Sequence, residues 1–310
     1  MLRIALTADP ELPVPPKLYG GIERIVDFLA RGLAARGHDV TVFAHPESST
    51  SGRLVPWPGK ASRNPMDTAR NTAALARHVL AERFDVVHSF SRMAYLAPLL
   101  PLPIPKLMTY QRAINRNSVR MGALLSRGSL WYSVVSERMM DGVGRGKRWR
   151  VISNGVSLDT YQFKADPGAD APFVFLGRVA AIKGPHLAIE AARRAGVPLV
   201  IAGNVPPEHQ RWFDQHIAPH ICGERVRYVG PLDDAGKNEL LGRARALLMP
   251  ILWDEPFGIV MIEAMACGTP VIGLARGSVP EVIEDGVTGF VVDDLAEMAA
   301  AIEKIETISR

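Results

Sequence analysis

Strand-length apolar runs and helix-period segments take turns along nearly the whole chain, and that alternation is compatible with few folds. RIALTA, Arg3 to Ala8, reads as a buried strand, and Ile22, Ile25, Val26, Leu29 and Leu33 recur at helical spacing until Gly37 stops the helix. DVTVFA, Asp39 to Ala44, reads as a second strand. A βαβ unit of this kind predicts a parallel sheet covered by helices. DVVHSF (Asp85 to Phe90), KLMTY (Lys106 to Tyr110) and SVVS (Ser133 to Ser136) supply further strands. From Leu158 to Pro172 the apolar periodicity lapses while Asp, Gly and Pro gather, which puts the domain junction there and the domains at 1–160 and 161–310. The alternation then resumes: FVFLG, LVIAG, VRYVG, ALLMPI, TPVIGLA and TGFVV read as strands. Helices run through HLAIEAARRAG, Trp212, Leu240 and DLAEMAAAIEKIE. The expected class is α/β, two doubly wound parallel-sheet domains of similar size facing a central cleft where ligands bind at the strand ends. The long proline-rich loop from Asp9 to Gly21, at the carboxyl end of the first strand, is expected to be functional.

Composition narrows the function classes. With 47% hydrophobic and 22% charged residues the chain can bury two cores, which sets disorder aside. MLRIAL is too short for a signal peptide, and no run approaches the roughly 20 apolar residues of a membrane-spanning helix. The expected location is cytoplasmic, with peripheral contact at the inner face of a membrane as an option. Cys222 and Cys267 lie in apolar contexts without a CxxC spacing, so both read as packing residues rather than disulfide or zinc ligands.

The positive charge is local. Between Pro105 and Arg150 ten Lys or Arg face two acids, Glu137 and Asp141, and Arg112, Arg116, Arg120 and Arg127 would share one face of a helix. Such a face is either solvated or attracted to anionic lipid headgroups or a phosphorylated acceptor. Nucleic acid is not an expected partner, because aromatic interleaving and a binding motif are lacking. His209, His216 and His220 superficially resemble a metal stripe, but Pro219 interrupts it and no metal is expected.

WDEPFGIVMIEAMACGTPVI, Trp253 to Ile272, holds two glutamates separated by seven residues. Val260, Ile262, Ala264, Met265 and Ala266 surround Glu263, and a carboxylate there loses several kcal/mol of hydration unless something replaces the water, on the order of 2–7 kcal/mol for an uncompensated polar group. Glu263 therefore requires a partner: an internal arginine or a backbone N-terminus, or a ligand hydroxyl. Glu255 precedes Pro256 in the loop that leads into the helix, whose first turn is expected at Phe257, Gly258 and Ile259, with free N–H groups able to meet an anion.

EPFGIVMIEAMACGTPVI resembles the E-x7-E signature of retaining GT-B glycosyltransferases, in particular family 4, and GSVPEVIEDGVTGFVV continues the likeness. FLGRVAAIKG, Phe175 to Gly184, is similar to the family's Gly-Arg and Lys-Gly segment. VISNGVSLDTY, Val151 to Tyr161, resembles its domain-junction signature, and LYGGIERIV with GHDVTVFA its N-terminal one. A lone E-x7-E is weak, whereas five segments in the family's order cover nearly the whole chain.

The resemblance implies the GT-B fold, two Rossmann-like domains, and transfer of a sugar from a UDP-, GDP- or similar nucleotide-diphosphate sugar to a hydroxyl of a lipid, saccharide or small molecule. It implies a metal-independent reaction that retains the anomeric configuration. Arg178 and Lys183 would clamp the diphosphate in place of a metal. N–H groups at Phe257, Gly258 and Ile259, and at Gly20 and Gly21, would add donors. Glu263 would accept the ribose hydroxyls, Glu255 those of the transferred sugar, and the backbone near Val229 and Gly230 would meet the base. His88, Arg112 and Arg116 are the candidate acceptor-side residues.

Two features depart from the family's pattern. Many relatives carry a histidine after the strand matching KLMTY, where this chain has Gln111, which can hydrogen-bond but cannot titrate. Relatives also continue past the position of Ile308 with a helix that crosses back to the first domain, so a chain shortened at that end is expected. A catalytically silent relative that binds nucleotide sugar as a partner or regulator is the alternative. An epimerase using the same donor is disfavoured, because the flanking segments match transferases. A P-loop kinase or a dinucleotide-dependent dehydrogenase lacks its motif here.

Overall fold

The computed structural model describes residues 1–310 except Tyr19, Gly142, Gly144 and Arg145, so Tyr19 of the LYGG segment and Arg145 of the basic region lie outside the described residues. Two compact units emerge, Met1–Ser153 and Asn154–Arg310.

Unit 1 runs β1 (Arg3–Thr7), α1 (Gly21–Ala35), β2 (Asp39–Ala44), β3 (Arg53–Pro56), α2 (Pro65–Glu82), β4 (Val86–Ser89), β5 (Lys106–Tyr110), α3 (Arg116–Leu125), β6 (Leu130–Val134) and β7 (Trp149–Val151). Its strands are all parallel in the order β3-β2-β1-β4-β5-β6-β7. Unit 2 continues with β8 (Phe173–Leu176), α4 (Pro185–Ala195), β9 (Leu199–Ala202), α5 (Gln210–His216), β10 (Val226–Tyr228), α6 (Asp234–Gly242) and β11 (Leu247–Met249). It ends with α7 (Ile259–Ala266), β12 (Val271–Leu274), α8 (Val279–Val282), β13 (Gly289–Val292) and α9 (Leu295–Lys304). The order β10-β9-β8-β11-β12-β13, again all parallel, repeats the arrangement of unit 1.

In each sheet the first strand lies in the middle, and the chain winds outward from it first one way and then the other. The order therefore reverses between β1 and β4 and between β8 and β11, where helices on opposite faces leave the loops apart and ligands bind in such sheets. Cores of apolar side chains cover both faces of each sheet: Phe43, Leu75, Tyr95 and Leu130 on one side of unit 1 and Leu6, Val26 and Val42 on the other. Unit 2 has Phe175, Ile201, Leu248 and Met298 on one side and Val174, Val200, Met261 and Val271 on the other.

Several expectations need correction. The four-arginine stripe does not exist, because Asn115 caps α3 by accepting from the N–H groups of Asn117 and Ser118, and the helix closes at Ser126. Arg112 thus precedes the helix and Arg127 follows it with a positive φ, leaving only Arg116 and Arg120 on α3. Helix α7 begins at Ile259, not at Phe257, because Gly258 turns the chain into the left-handed region at φ 75° and acts as the cap. Cys222 is exposed rather than packed, while Cys267 is buried. No helix among the described residues is long and apolar enough to cross a membrane.

Candidate functional site

In unit 2 the loops leaving β8 and β11 meet. After β8 the chain passes Gly177 and Arg178, makes a tight turn at Ala181–Lys183 and enters α4 through Gly184, which sits at φ 74°. A Cβ on Gly184 would lie 1.9 Å from the Pro250 carbonyl oxygen, so glycine lets this turn press against the loop after β11. The Leu252 N–H donates to the Ile182 carbonyl at 2.9 Å and ties the two loops together. A third loop, after β12, closes on the same place: the Ser278 N–H donates to the Glu255 carbonyl at 2.9 Å. A Cβ on Gly277 would fall 2.2 Å from the Glu255 nitrogen.

These constraints bring Lys183 and Glu255, 72 residues apart in sequence, into a direct ion pair, with only 16% and 11% of their side chains exposed. Trp253 completes the group, its indole N–H donating to the same Oε2 of Glu255 at 2.9 Å while the Lys183 ammonium lies 5.1 Å from its ring centre. Arg178 is half-buried, and its Nε has no hydrogen-bond partner among the described residues. Asn204 Oδ1 after β9 and Ser278 Oγ after β12 are buried and unpartnered as well. Buried polar atoms without partners are rare, and three on the carboxyl-end loops of one sheet mark a place suited to a polar ligand.

Glu263 has its partner inside the protein. Its Oε1 accepts from the Lys237 ammonium at 2.9 Å and from the Tyr161 hydroxyl at 2.6 Å, while Lys237 also meets Asp234 at 3.0 Å. Of the alternatives left open by the sequence, the internal one is realised, although the cation is a lysine and not an arginine. The burial of Glu263 therefore does not itself demand a ligand. Gly230 follows β10 at φ 75°, with its carbonyl accepting from the Gly203 N–H at 2.8 Å.

Unit 1 has its own candidate site. Gln111 and Arg112, leaving β5, line a cavity of about 290 Å³ together with Arg92, Tyr110, Asn115 and Ser118; Arg116 does not line it. Arg112 pairs with Asp9, which is almost fully buried in the loop after β1 and whose other oxygen, Oδ1, has no hydrogen-bond partner among the described residues. Burial raises Asp9 above the usual carboxylate range, with the Arg112 guanidinium opposing. Glu23, in the first turn of α1, is pushed up to about 7 by burial, reinforced by Asp9. Gly20 caps that helix, and a Cβ there would meet Pro16 at 2.6 Å; Gly21 is the first helical residue. Burial also drives His88 down to about 3, so it is neutral near pH 7, with Nε2 2.7 Å from Thr109 Oγ1 and its ring 4.4 Å from Phe90. Among the described residues no group of three or more His, Cys, Asp or Glu is placed to hold a metal ion.

Comparisons with known proteins bear on the family and the fold. A family model described as glycosyl transferases group 1 matches residues 160–310, and one described as glycosyltransferase family 4 matches residues 19–160. The chain belongs to the family 4 glycosyltransferases. This glycosyltransferase is 29% identical to a glycogen synthase of Mycobacterium tuberculosis, over 94% of its own length and 83% of the relative's. It is 28% identical to a phosphatidyl-myo-inositol mannosyltransferase of Mycobacterium leprae, over 97% and 86% of the two chains. The crystal structure of Anabaena HepE in complex with UDP-glucose superposes with a TM-score of 0.73 over 99% of this chain and 91% of that one, at 18% identity, and so shares the GT-B fold.

Reading the sequence alone passed over Trp253, Asn204, Lys237, Tyr161 and Asp9. A readable signal existed for two of them. Asp9 opens the proline-rich loop after the first strand, and Trp253 stands two residues before the first glutamate of the spaced pair.

Proposed function

We propose that this glycosyltransferase moves a sugar from a nucleotide-diphosphate sugar to an acceptor hydroxyl with retention at the anomeric carbon, using cationic side chains where other enzymes use a metal ion. The observation that carries this reading is the meeting of Lys183 and Glu255 at the strand-order reversal of unit 2, beside Arg178 with its buried, unpaired Nε. Lys183 and Arg178 hold the diphosphate and neutralise the charge that grows on it as the leaving group departs. The Phe257–Gly258–Ile259 backbone lies next to it, Glu255 holds hydroxyls of the sugar, Glu263 those of the ribose, and the Gly230 backbone meets the base. The acceptor oxygen bonds to the anomeric carbon on the face from which the diphosphate oxygen leaves. The acceptor's proton passes to that diphosphate, so no strong protein base is required. The Glu263 assignment rests on the family resemblance alone.

The acceptor falls to unit 1, where Gln111, Arg112 and the cavity they line lie near neutral His88. The exposed face of α3 supports a peripheral contact with an anionic membrane: Met121, Leu124 and Leu125 are exposed there beside Arg116 and Arg120. Replacing Arg116 and Arg120 with Glu should lower binding to phosphatidylglycerol vesicles by at least about thirtyfold, at about 1 kcal/mol per cation lost, without changing donor binding. Equal sedimentation of wild type and variant with the vesicles would remove the membrane from the proposal.

Turnover is tested by incubating the purified protein with UDP-glucose or GDP-mannose and measuring released nucleoside diphosphate, with Glu263→Gln as the informative variant. An alanine would leave buried Lys237 with Asp234 as its remaining ion-pair partner among the described residues and open a gap beside it, whereas glutamine keeps a hydrogen-bonding oxygen. Weaker donor binding by a folded Glu263→Gln protein supports the ribose role. Donor binding without any release of nucleoside diphosphate would favour the silent binder, a reading motivated by Gln111 standing where relatives carry histidine.

A further inference from the structure

The Lys183–Glu255 pair poses a problem that the family reading leaves open. If Lys183 grips the diphosphate and Glu255 grips the sugar, the two side chains that neutralise each other must serve different parts of one donor. A diphosphate carries more charge than a carboxylate, so it competes strongly for the ammonium. Once the ammonium turns to the phosphates, Glu255 loses its only ion-pair partner among the described residues. Its backbone is already pinned by the Ser278 N–H at 2.9 Å, but its side-chain torsions are not.

One donor on Glu255 cannot follow the phosphates. The Trp253 indole N–H sits 2.9 Å from Oε2, is uncharged, and belongs to a rigid side chain packed against the core cluster that contains Met261 and Val279. Its neighbour Leu252 is bonded to the Lys183 turn through Ile182, so the ring is also fixed relative to the lysine. The ring face lies 5.1 Å from the Lys183 ammonium and offers it a second stabilising contact.

We propose that Trp253 is a positioning residue: its N–H holds the Glu255 carboxylate in place for the transferred sugar once Lys183 has turned to the diphosphate. This rests on the donor reading above. A carboxylate held by a single well-aligned donor presents its other oxygen in a fixed direction, and the sugar is the part of the donor that senses it. The nucleoside diphosphate does not touch Glu255, so the indole N–H contributes to binding only when the sugar is attached.

The test compares affinities for a nucleoside diphosphate and for its sugar form, using UDP with UDP-glucose or GDP with GDP-mannose, whichever pair wild type binds more tightly. Trp253→Phe keeps the ring beside Lys183 and removes the N–H. It should leave nucleoside diphosphate affinity within about twofold while weakening the sugar form about tenfold, as for a lost hydrogen bond to a charged group, and kcat should fall in step. Trp253→His, which retains a ring N–H, should recover part of that loss and covers the case in which the phenylalanine variant folds poorly. Trp253→Leu should weaken both ligands, because the ring beside Lys183 is gone too. A wild-type ratio of the two affinities in Trp253→Phe, or an equal loss of both, overturns the proposal. Failure of the underlying reading looks different: Lys183→Ala would then bind the nucleoside diphosphate as wild type does, whatever the tryptophan variants show.

Discussion

Asp9 and Arg178 occupy the same topological position, two residues beyond the first strand of their respective sheets, at the reversal of a strand order that the sheets share except for the extra edge strand β7 of unit 1. Among the described residues, that position in unit 1 holds a buried carboxylate whose Oδ1, an acceptor, has no partner, and in unit 2 a guanidinium whose Nε, a donor, has none. The neighbours extend the contrast. Glu23 beside Asp9 is pushed up to about 7, while Lys183 beyond Arg178 keeps a carboxylate at its side. An unpaired acceptor suits a hydroxyl hydrogen and an unpaired donor suits a phosphate oxygen. Topology thus gathers the loop residues of each unit at one place, and their chemistry decides which ligand atoms that place suits.

The largest effect expected from this comparison lies in unit 2. Lys183→Ala should cut turnover by about 100- to 1,000-fold, the range for losing a group that meets transition-state charge, with donor affinity falling as well. Steady-state kinetics on a folded variant check it, and unchanged donor kinetics would erase the contrast between the units. Next comes the packing that makes the unit 2 site. Gly184→Ala places a methyl 1.9 Å from the Pro250 carbonyl at a left-handed φ, so unit 2 should lose about 2–4 kcal/mol by thermal or urea unfolding, along with nucleotide binding.

A third test concerns the acidic side of the comparison. Glu23 has a folded pKa near 7, above its ordinary 4.5, so wild type loses stability as pH rises from about 4.5 through 7 and the loss is complete above that. Glu23→Gln escapes this loss. Its stability relative to wild type should improve across that window by up to about 3 kcal/mol and stay level above it. Burial of His88 acts in the opposite direction below pH 6.5, but it is common to both proteins and cancels in the difference. A flat difference from pH 4.5 to 8 would show that Glu23 is not held protonated. The smallest expected effect is that of Asp9→Asn, about tenfold on the acceptor KM with the donor KM unchanged, read from kinetics in which each substrate is varied in turn.

Much of the architecture was legible. Six strands of unit 2 and the β1–α1–β2 unit stand out because buried parallel strands are short, uniformly apolar and punctuated by glycine. Other elements escaped for identifiable reasons. Strands β3 and β7 lie at the edges of their sheet, where only Val55 of RLVP and no residue of WRV is buried, so neither shows a continuous apolar run. Helix α2 places a polar residue, Asn71, on its buried face, where it bonds Gly59 and Tyr95, so its apolar stripe is broken although Asn64 and Pro65 announce its start. The basic stripe failed because a helical period was assumed across Asn115, whose capping side chain starts the helix later.

The residues proposed for the donor site came from a resemblance, whereas their mutual arrangement was not readable at all. That Glu255 meets Lys183 and Trp253, and that Glu263 is satisfied by Lys237 and Tyr161, 26 and 102 residues away in sequence, follows from which loops the sheet order brings together. Alternation of apolar runs sets a local period, and a local period is enough to build strands, helices and a parallel sheet. Pairing of charges across loops depends on long-range closeness, which only packing against Pro250 and Ser278 supplied. The chain by itself therefore determined its two sheets and the kinds of side chain at their ends; the tertiary structure decided which of those side chains neutralise one another and which remain available to a substrate.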